Sequence, residues 1–291
     1  MKKKKLTLVT AFWVFVFAFL HVHSIDANAA GGYTIYVNRK TNIINVINSK
    51  NGKLVRAMYC STGRNYQTLK GSYRTVRKYR WHALYHNSYG QYCTRIHGSY
   101  LFHSVPYYGA SKNKVSTEGY NKLGEQASAG CIRLAVTDAK WIYDHCRVGT
   151  KVVIGESKKL KKPSRPKLKI STKKKTGWDP TDPDPHNPYR PVLTLKKGAS
   201  TKIPYGSNFN VKEKISVSSK FTSRKTLLKH TSVKGKVNTE KPGTYKVTCT
   251  LTDPNTTLKV KKTFTFKVGK KPAGTTEEKN PQESSEITQV K

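Results

Sequence analysis

Apolar and polar positions alternate through Tyr33-Thr34-Ile35-Tyr36-Val37, the two-residue period of a strand that lays one face on a core. A second strand is expected over residues 42–47 and a return strand over 53–59, with Asn51-Gly52 between them as the turn of a hairpin. The chain therefore opens as a β-meander. A helical period takes over after residue 138, where Ala139, Ile142, Tyr143 and Cys146 fall at i, i+3, i+4 and i+7 and Asp138 stands as N-cap. Strand patterns resume over 192–195, 215–217, 243–249 and 263–268 with turns at short intervals, as in a small β-sandwich. The expected fold class is mainly β, in two domains: one over residues 33–155 and one over 192–269. Between them, residues 156–191 turn Lys-rich and then Pro-rich and are expected to form an extended, semi-rigid linker. The polar residues 270–291 read as a disordered tail.

The apolar run over residues 6–20 has a different meaning. It follows the basic start Met1-Lys2-Lys3-Lys4-Lys5 and precedes Ala27-Asn28-Ala29, a small-residue cleavage pattern, so residues 1–29 read as a secretory signal peptide. An uncleaved anchor is the weaker reading because the run is short for a membrane span, and no stable membrane span is expected after cleavage. Export changes what the charge implies. Fifty-five Lys and Arg against 16 Asp and Glu give +39, a balance that otherwise suggests nucleic acid. Outside the cell, the matching polyanions are anionic wall polymers such as teichoic acid and the carboxylates of peptidoglycan stem peptides. A secreted, extracellular, cell-wall-associated protein with no nucleic-acid partner is the expectation.

Candidate chemistry centres on Ala127-Ser128-Ala129-Gly130-Cys131-Ile132-Arg133-Leu134. Gly130 permits a sharp turn before Cys131, so that the thiol can attack a carbonyl while nearby amides hold the oxyanion, and Arg133 adds a fixed positive charge. The run resembles the S-H-G-C-I/V-R-L/M signature of the L,D-transpeptidase (YkuD-type) catalytic domain, with Ala129 in place of the signature histidine. Phe102-His103-Ser104-Val105, Leu123-Gly124, Cys60-Ser61-Thr62-Gly63, Thr68-Leu69-Lys70-Gly71, residues 138–143 and residues 149–154 resemble further landmarks of that family in the same order. The resemblance implies a mixed β-sandwich or barrel with a short helix. It also implies an exported enzyme in which Cys131 attacks the third residue of a peptidoglycan tetrapeptide stem and passes the thioester to an amine or to water. Pro242-Gly243-Thr244-Tyr245-Lys246-Val247-Thr248 similarly resembles bacterial Ig-like modules.

Within that resemblance His103 is the expected base and His97, in Ile96-His97-Gly98, the alternative. Ser104 or a backbone carbonyl is expected to orient the imidazole. Gly130, Ser128, Arg133 and Ser104 are assigned to the oxyanion hole and substrate binding, with a structural ion pair as the competing role for Arg133. The loop over residues 107–120 reads as a lid. Five cysteines leave at least one thiol free, for which Cys131 is the candidate, while a bridge among Cys60, Cys93 and Cys146 stays open. Scattered histidines without helical H-x-x-x-H spacing and the lack of C-x-x-C predict no metal site and no cofactor. A sortase-like enzyme lacks its T-x-T-C run here. A non-catalytic wall-binding protein with a degenerate site is the rival from another class.

Overall fold

The computed structural model describes residues 32–272, so residues 1–29, expected to be a signal peptide, and most of the expected tail lie outside the described residues. The described chain is mainly β and divides into two units. The first comprises the chain up to Arg190 with the short segments 219–222 and 253–258; the second holds residues 191–218, 223–252 and the chain from Lys259 onward.

The first unit is built on one curled nine-stranded sheet. Strand β1 (Tyr33–Asn38) pairs antiparallel with β2 (Ile43–Asn48), and β2 with β3 (Leu54–Ser61), the expected meander, with Gly52 at φ 66° in its turn. The sheet continues through β4 (Gly71–Arg74), β5 (Arg77–Leu84), β6 (Ser88–His97) and β7 (Tyr100–Ser104). Short β8 (Val115–Ser116) leads into α1 (Thr117–Asn121); β9 (Ile132–Leu134), α2 (Val136–His145) and β10 (Lys151–Gly155) follow. Order across the sheet is β4-β10-β1-β2-β3-β9-β7-β6-β5. Strand β9 is inserted between β3 and β7 and runs parallel to β7, with His103 beside Arg133. Ile35, Ile44, Val46, Met58, Phe102, Ile132, Leu134 and Ile142 are buried in one core, and Phe102 and Ile132 are themselves register partners. The candidate base His103 thus lies on β7, and the candidate nucleophile Cys131 immediately precedes the neighbouring β9, strands whose inner faces are fixed by aliphatic packing.

Helix α2 starts three residues earlier than expected, and its cap is not Asp138. The Val136 and Thr137 amides donate to Asp179 Oδ2 (2.9 Å) and Thr181 Oγ1 (3.1 Å), groups from the Asp-Pro stretch. Asp138, in the first helical turn, is buried and paired instead with Arg56 and Arg165. Ala139, Ile142 and Cys146 are buried as the helical period predicts.

The stretch expected to be a free spacer is a strap folded onto the first unit. Asn45 exchanges two hydrogen bonds with the Lys161 backbone, and Asn121 does the same with Ile170. Strand β11 (Thr176–Gly177) pairs with β8, and Asp179 and Asp182 are fully buried. The Asp-Pro steps do form turns, as their side chains bond amides two residues on, but those turns are packed into the unit. This strap also anchors two points of the segment expected to be a lid at 107–120. Tyr107 is fully buried with its hydroxyl bonded to Gln91, and β8 is held by β11.

In the second unit β12 (Val192–Leu195) pairs with β14 (Ile215–Ser218). Strand β13 (Lys202–Ile203) runs parallel to β17 (Lys259–Val268), which pairs along its whole length with β16 (Gly243–Thr252), and β15 (Thr231–Lys234) closes the other edge. Helices α3 (Val211–Lys214) and α4 (Arg224–Lys229) are capped by Asn210 and Ser223. Leu193, Ile215, Leu227, Val247, Leu251 and Phe266 form its core. All five cysteines are free thiols, so the bridge left open by the sequence is absent; four of them are buried.

Candidate active site

Cys131 follows a turn that its own neighbours hold in shape. Gly130 lies at φ 135°, a conformation suited to glycine, and a Cβ there would come within 2.8 Å of the Tyr100 ring. Buried Ser128 accepts the Gly130 amide (3.0 Å) and donates to the Cys131 carbonyl (2.6 Å). Thr68 links the Gly63 amide to the Gly130 carbonyl, both at 2.7 Å. The Gly130 amide is therefore spent on Ser128, which corrects its assignment to the oxyanion hole: the turn that exposes the thiol directs this N–H inward. Ser128 shapes the turn from within.

His103, Cys131 and Arg133 line one cavity of about 690 Å³, together with His82, Arg95 and Tyr108. His97 does not line it; it is exposed at the end of β6 and stacks on Tyr73 at 5.4 Å. The structure thereby separates the two candidate bases. His103 is buried, and its Nδ1 lies 2.5 Å from the Ser104 carbonyl oxygen. A carbonyl only accepts, so Nδ1 carries the proton and neutral Nε2 is left with a free lone pair. The carbonyl of Ser104, not its hydroxyl, orients the ring. Ser104 Oγ is fully buried, accepting from the Gln91 amide and donating to the Val105 carbonyl, which removes Ser104 from substrate binding.

Burial, and then the charge of Arg133, push the His103 imidazole down to about 3, against the Ser104 hydrogen bond that favours its proton. Burial likewise raises the Cys131 thiol above its ordinary range, while a backbone bond from Leu101 and the charges of Arg133 and Arg95 pull it back. At neutral pH the two groups at rest are thus a thiol, whose Sγ lies 3.5 Å from the Ser99 carbonyl, and a neutral imidazole lining the same cavity. Arg133 donates to the Ala127 carbonyl at 3.0 Å, its Nε lacks a partner, and among the described residues it forms no ion pair. The competing structural ion pair is therefore absent. Ala129, which stands where the signature has histidine, also lines the cavity.

The sequence reading missed the contribution of His82 and Arg95. They sit on β5 and β6 at positions where the tyrosine-rich, basic composition is uniform, and only the pairing of those strands turns both towards the cavity. Arg95 Nη2 approaches His82 Nε2 at 3.5 Å, and burial followed by the Arg95 charge lowers the His82 pKa.

A cysteine after a glycine turn, a histidine oriented through Nδ1 and an arginine beside it on β9 all converge on one cavity. Residues 32–154 match the L,D-transpeptidase catalytic domain, YkuD. A Bacillus subtilis (strain 168) protein named "Putative L,D-transpeptidase YciB" is 52% identical over 58 residues, which cover 20% of this chain and 29% of that protein. Among solved structures, an L,D-transpeptidase from Mycobacterium tuberculosis H37Rv aligns at 23% identity and TM-score 0.35 over 42% of this chain and 57% of the other. A fused Zn-dependent amidase/peptidase/peptidoglycan-binding protein from Clostridium acetobutylicum aligns at 31% identity and TM-score 0.34 over 42% of this chain and 51% of the other. The YkuD match ends at Ile154, before the strap and the second unit. No helix among the described residues is long and apolar enough to cross a membrane.

Proposed function

We propose that the protein is an exported cysteine L,D-transpeptidase that acts on peptidoglycan tetrapeptide stems and forms 3→3 cross-links through a thioester on Cys131. The observation that carries this reading is the shared cavity of Cys131, His103 and Arg133, with the His103 ring fixed so that Nε2 is its basic atom. Sγ attacks the carbonyl of the stem's third residue as the thiol proton passes to Nε2. Collapse of the tetrahedral intermediate breaks the bond to the terminal D-alanine, whose nitrogen takes that proton and leaves. An acceptor amine then attacks the thioester, gives its proton to Nε2, and the thiol is regenerated; with water as acceptor the result is L,D-carboxypeptidase action. Arg133 and the Cys131 amide are the groups assigned to the developing oxyanion. The strong positive charge suits retention in an anionic wall, including by teichoic acid, and an Ig-like reading of residues 192–269 would give the second unit a positioning role.

The test is incubation of the protein and a Cys131→Ala variant with disaccharide tetrapeptides, followed by mass spectrometry. Loss of alanine with a 3→3 dimer or a tripeptide, absent in the variant, is the expected result. A folded protein that gives neither product nor a Cys131 acyl adduct with several stem types would be the non-catalytic wall-binding protein instead.

A further inference from the structure

The strap beyond the YkuD match reaches the side chain that sets the base. Asp182 is fully buried and locked in its turn, its Oδ1 accepting the Asp184 amide and its carbonyl accepting Asn187 Nδ2. Its Oδ2 accepts from Gln91 Nε2 at 3.0 Å. Gln91, also fully buried on β6, has its amide group saturated: Nε2 bonds to Tyr107 Oη (2.8 Å) as well, and Oε1 accepts from Arg80 at 2.9 Å. The Gln91 backbone N–H donates to Ser104 Oγ at 2.8 Å, and the Ser104 carbonyl holds His103 Nδ1.

The main chain beside Gln91 also forms the wall against which the imidazole rests. A Cβ on Gly90 would lie 3.1 Å from both Cβ and Nδ1 of His103. Any drift of β6 at residues 90–91 therefore moves the ring or its hydrogen-bond acceptor. Buried amide and carboxylate groups fix that position because leaving either unpaired in the interior is costly.

We propose that Asp182 and Gln91 are positioning residues for the base, so that the Asp-Pro strap, encoded outside the family match, is a working part of the catalytic site. The inference builds on the transpeptidase reading, but its physical content is the state of one imidazole. Asp182→Ala removes the carboxylate that holds Gln91; Asp182→Asn keeps one oxygen to accept from it and is the milder variant. Asp179→Ala serves as comparison, since it removes the cap of α2 from the same strap without touching Gln91.

Two readouts on the full chain decide the matter. Long-range proton–nitrogen NMR reports the His103 tautomer, and kinetics with tetrapeptide donors separate kcat from KM. The parent should show the Nδ1–H tautomer. Asp182→Ala should give a mixed tautomer and a kcat about tenfold lower with KM within about twofold, as expected for a misaligned group that does not bind substrate. Asp182→Asn should fall between, and Asp179→Ala should lose thermal stability while keeping tautomer and kcat. The inference is overturned if Asp182→Ala, folded, keeps the parent's tautomer and kcat, or if Asp179→Ala reproduces its effects and so shows general loosening. Should the parent turn over no stem, the tautomer arms alone decide the positioning role, and only the enzymatic reading falls.

Discussion

Acid should weaken this fold through His103 in a way that one substitution can isolate. The ring is held at about 3 instead of 6.5, chiefly by burial and secondly by Arg133. As pH falls through 6.5 the unfolded chain takes up this proton and the folded chain does not, so the contribution of His103 is complete above 6.5 and is lost as pH falls towards 3. Over the whole window this amounts to about 5 kcal/mol, and between about pH 7 and pH 4 to about 3 kcal/mol. His103→Asn retains a donor for the Ser104 carbonyl but cannot titrate. Urea unfolding of parent and variant at about pH 7 and pH 4 gives a difference of differences in which other groups cancel. Among those groups is Asp179, pushed up to about 7 mainly by burial, which works in the opposite direction by stabilising the fold on acidification. The parent should lose about 3 kcal/mol more than the variant on going to the lower pH. An equal loss in both, within about 1 kcal/mol, would mean that the imidazole titrates normally in the folded chain, and the claim that burial holds it neutral into acid would fall.

Three further substitutions probe the site and its frame. Gly90→Ala places a Cβ 3.0 Å from Cys93 Sγ and 3.1 Å from His103; thermal melts should show a loss of about 1–3 kcal/mol, and acylation by a tetrapeptide donor should slow about tenfold. Gly130→Ala combines strain at φ 135° with a 2.8 Å approach to Tyr100, and rapid-quench mass spectrometry should find the Cys131 acyl adduct forming about a hundredfold more slowly. Asp138→Ala strips the shared carboxylate from Arg56 and Arg165 and should cost about 3 kcal/mol in urea, whereas a loss under about 0.5 kcal/mol would show the pair to be merely superficial.

What could be read from the sequence was local. Tyr33-Thr34-Ile35-Tyr36-Val37 announces β1 because its alternation is the pleat itself, and Asn51-Gly52 specifies its turn through backbone conformation alone. The Gly130-Cys131 turn was legible for the same reason: a glycine at φ 135° and the cysteine after it are contiguous in the chain. Most of the failures were non-local. Asp138 has the residue type of a cap, but Asp179, about forty residues away, reaches the helix start, and no spacing rule connects them. A Pro-rich stretch looks like a spacer until its carboxylates are seen to satisfy amides from α2 and β6. His97 and His103 both lie on paired strands, and only β7's contact with β9 selects between them. The Gly130 amide was misassigned because a sequence shows that a donor exists but not where Ser128 draws it.

The order of the strands sets when the surroundings of Cys131 can be complete. Strand β1, the first made, finds its parallel partner only in β10, and the cap of α2 and the carboxylate that steadies β6 come later still, at Asp179 and Asp182. Contacts so distant in sequence carry the largest loop-closure cost and form last. During synthesis or threading from the N-terminus, Cys131 therefore emerges well before the surroundings that orient its base. A chain interrupted anywhere in that interval carries Cys131 without the strap contacts to α2 and Gln91, so this part of the cavity's frame is completed last.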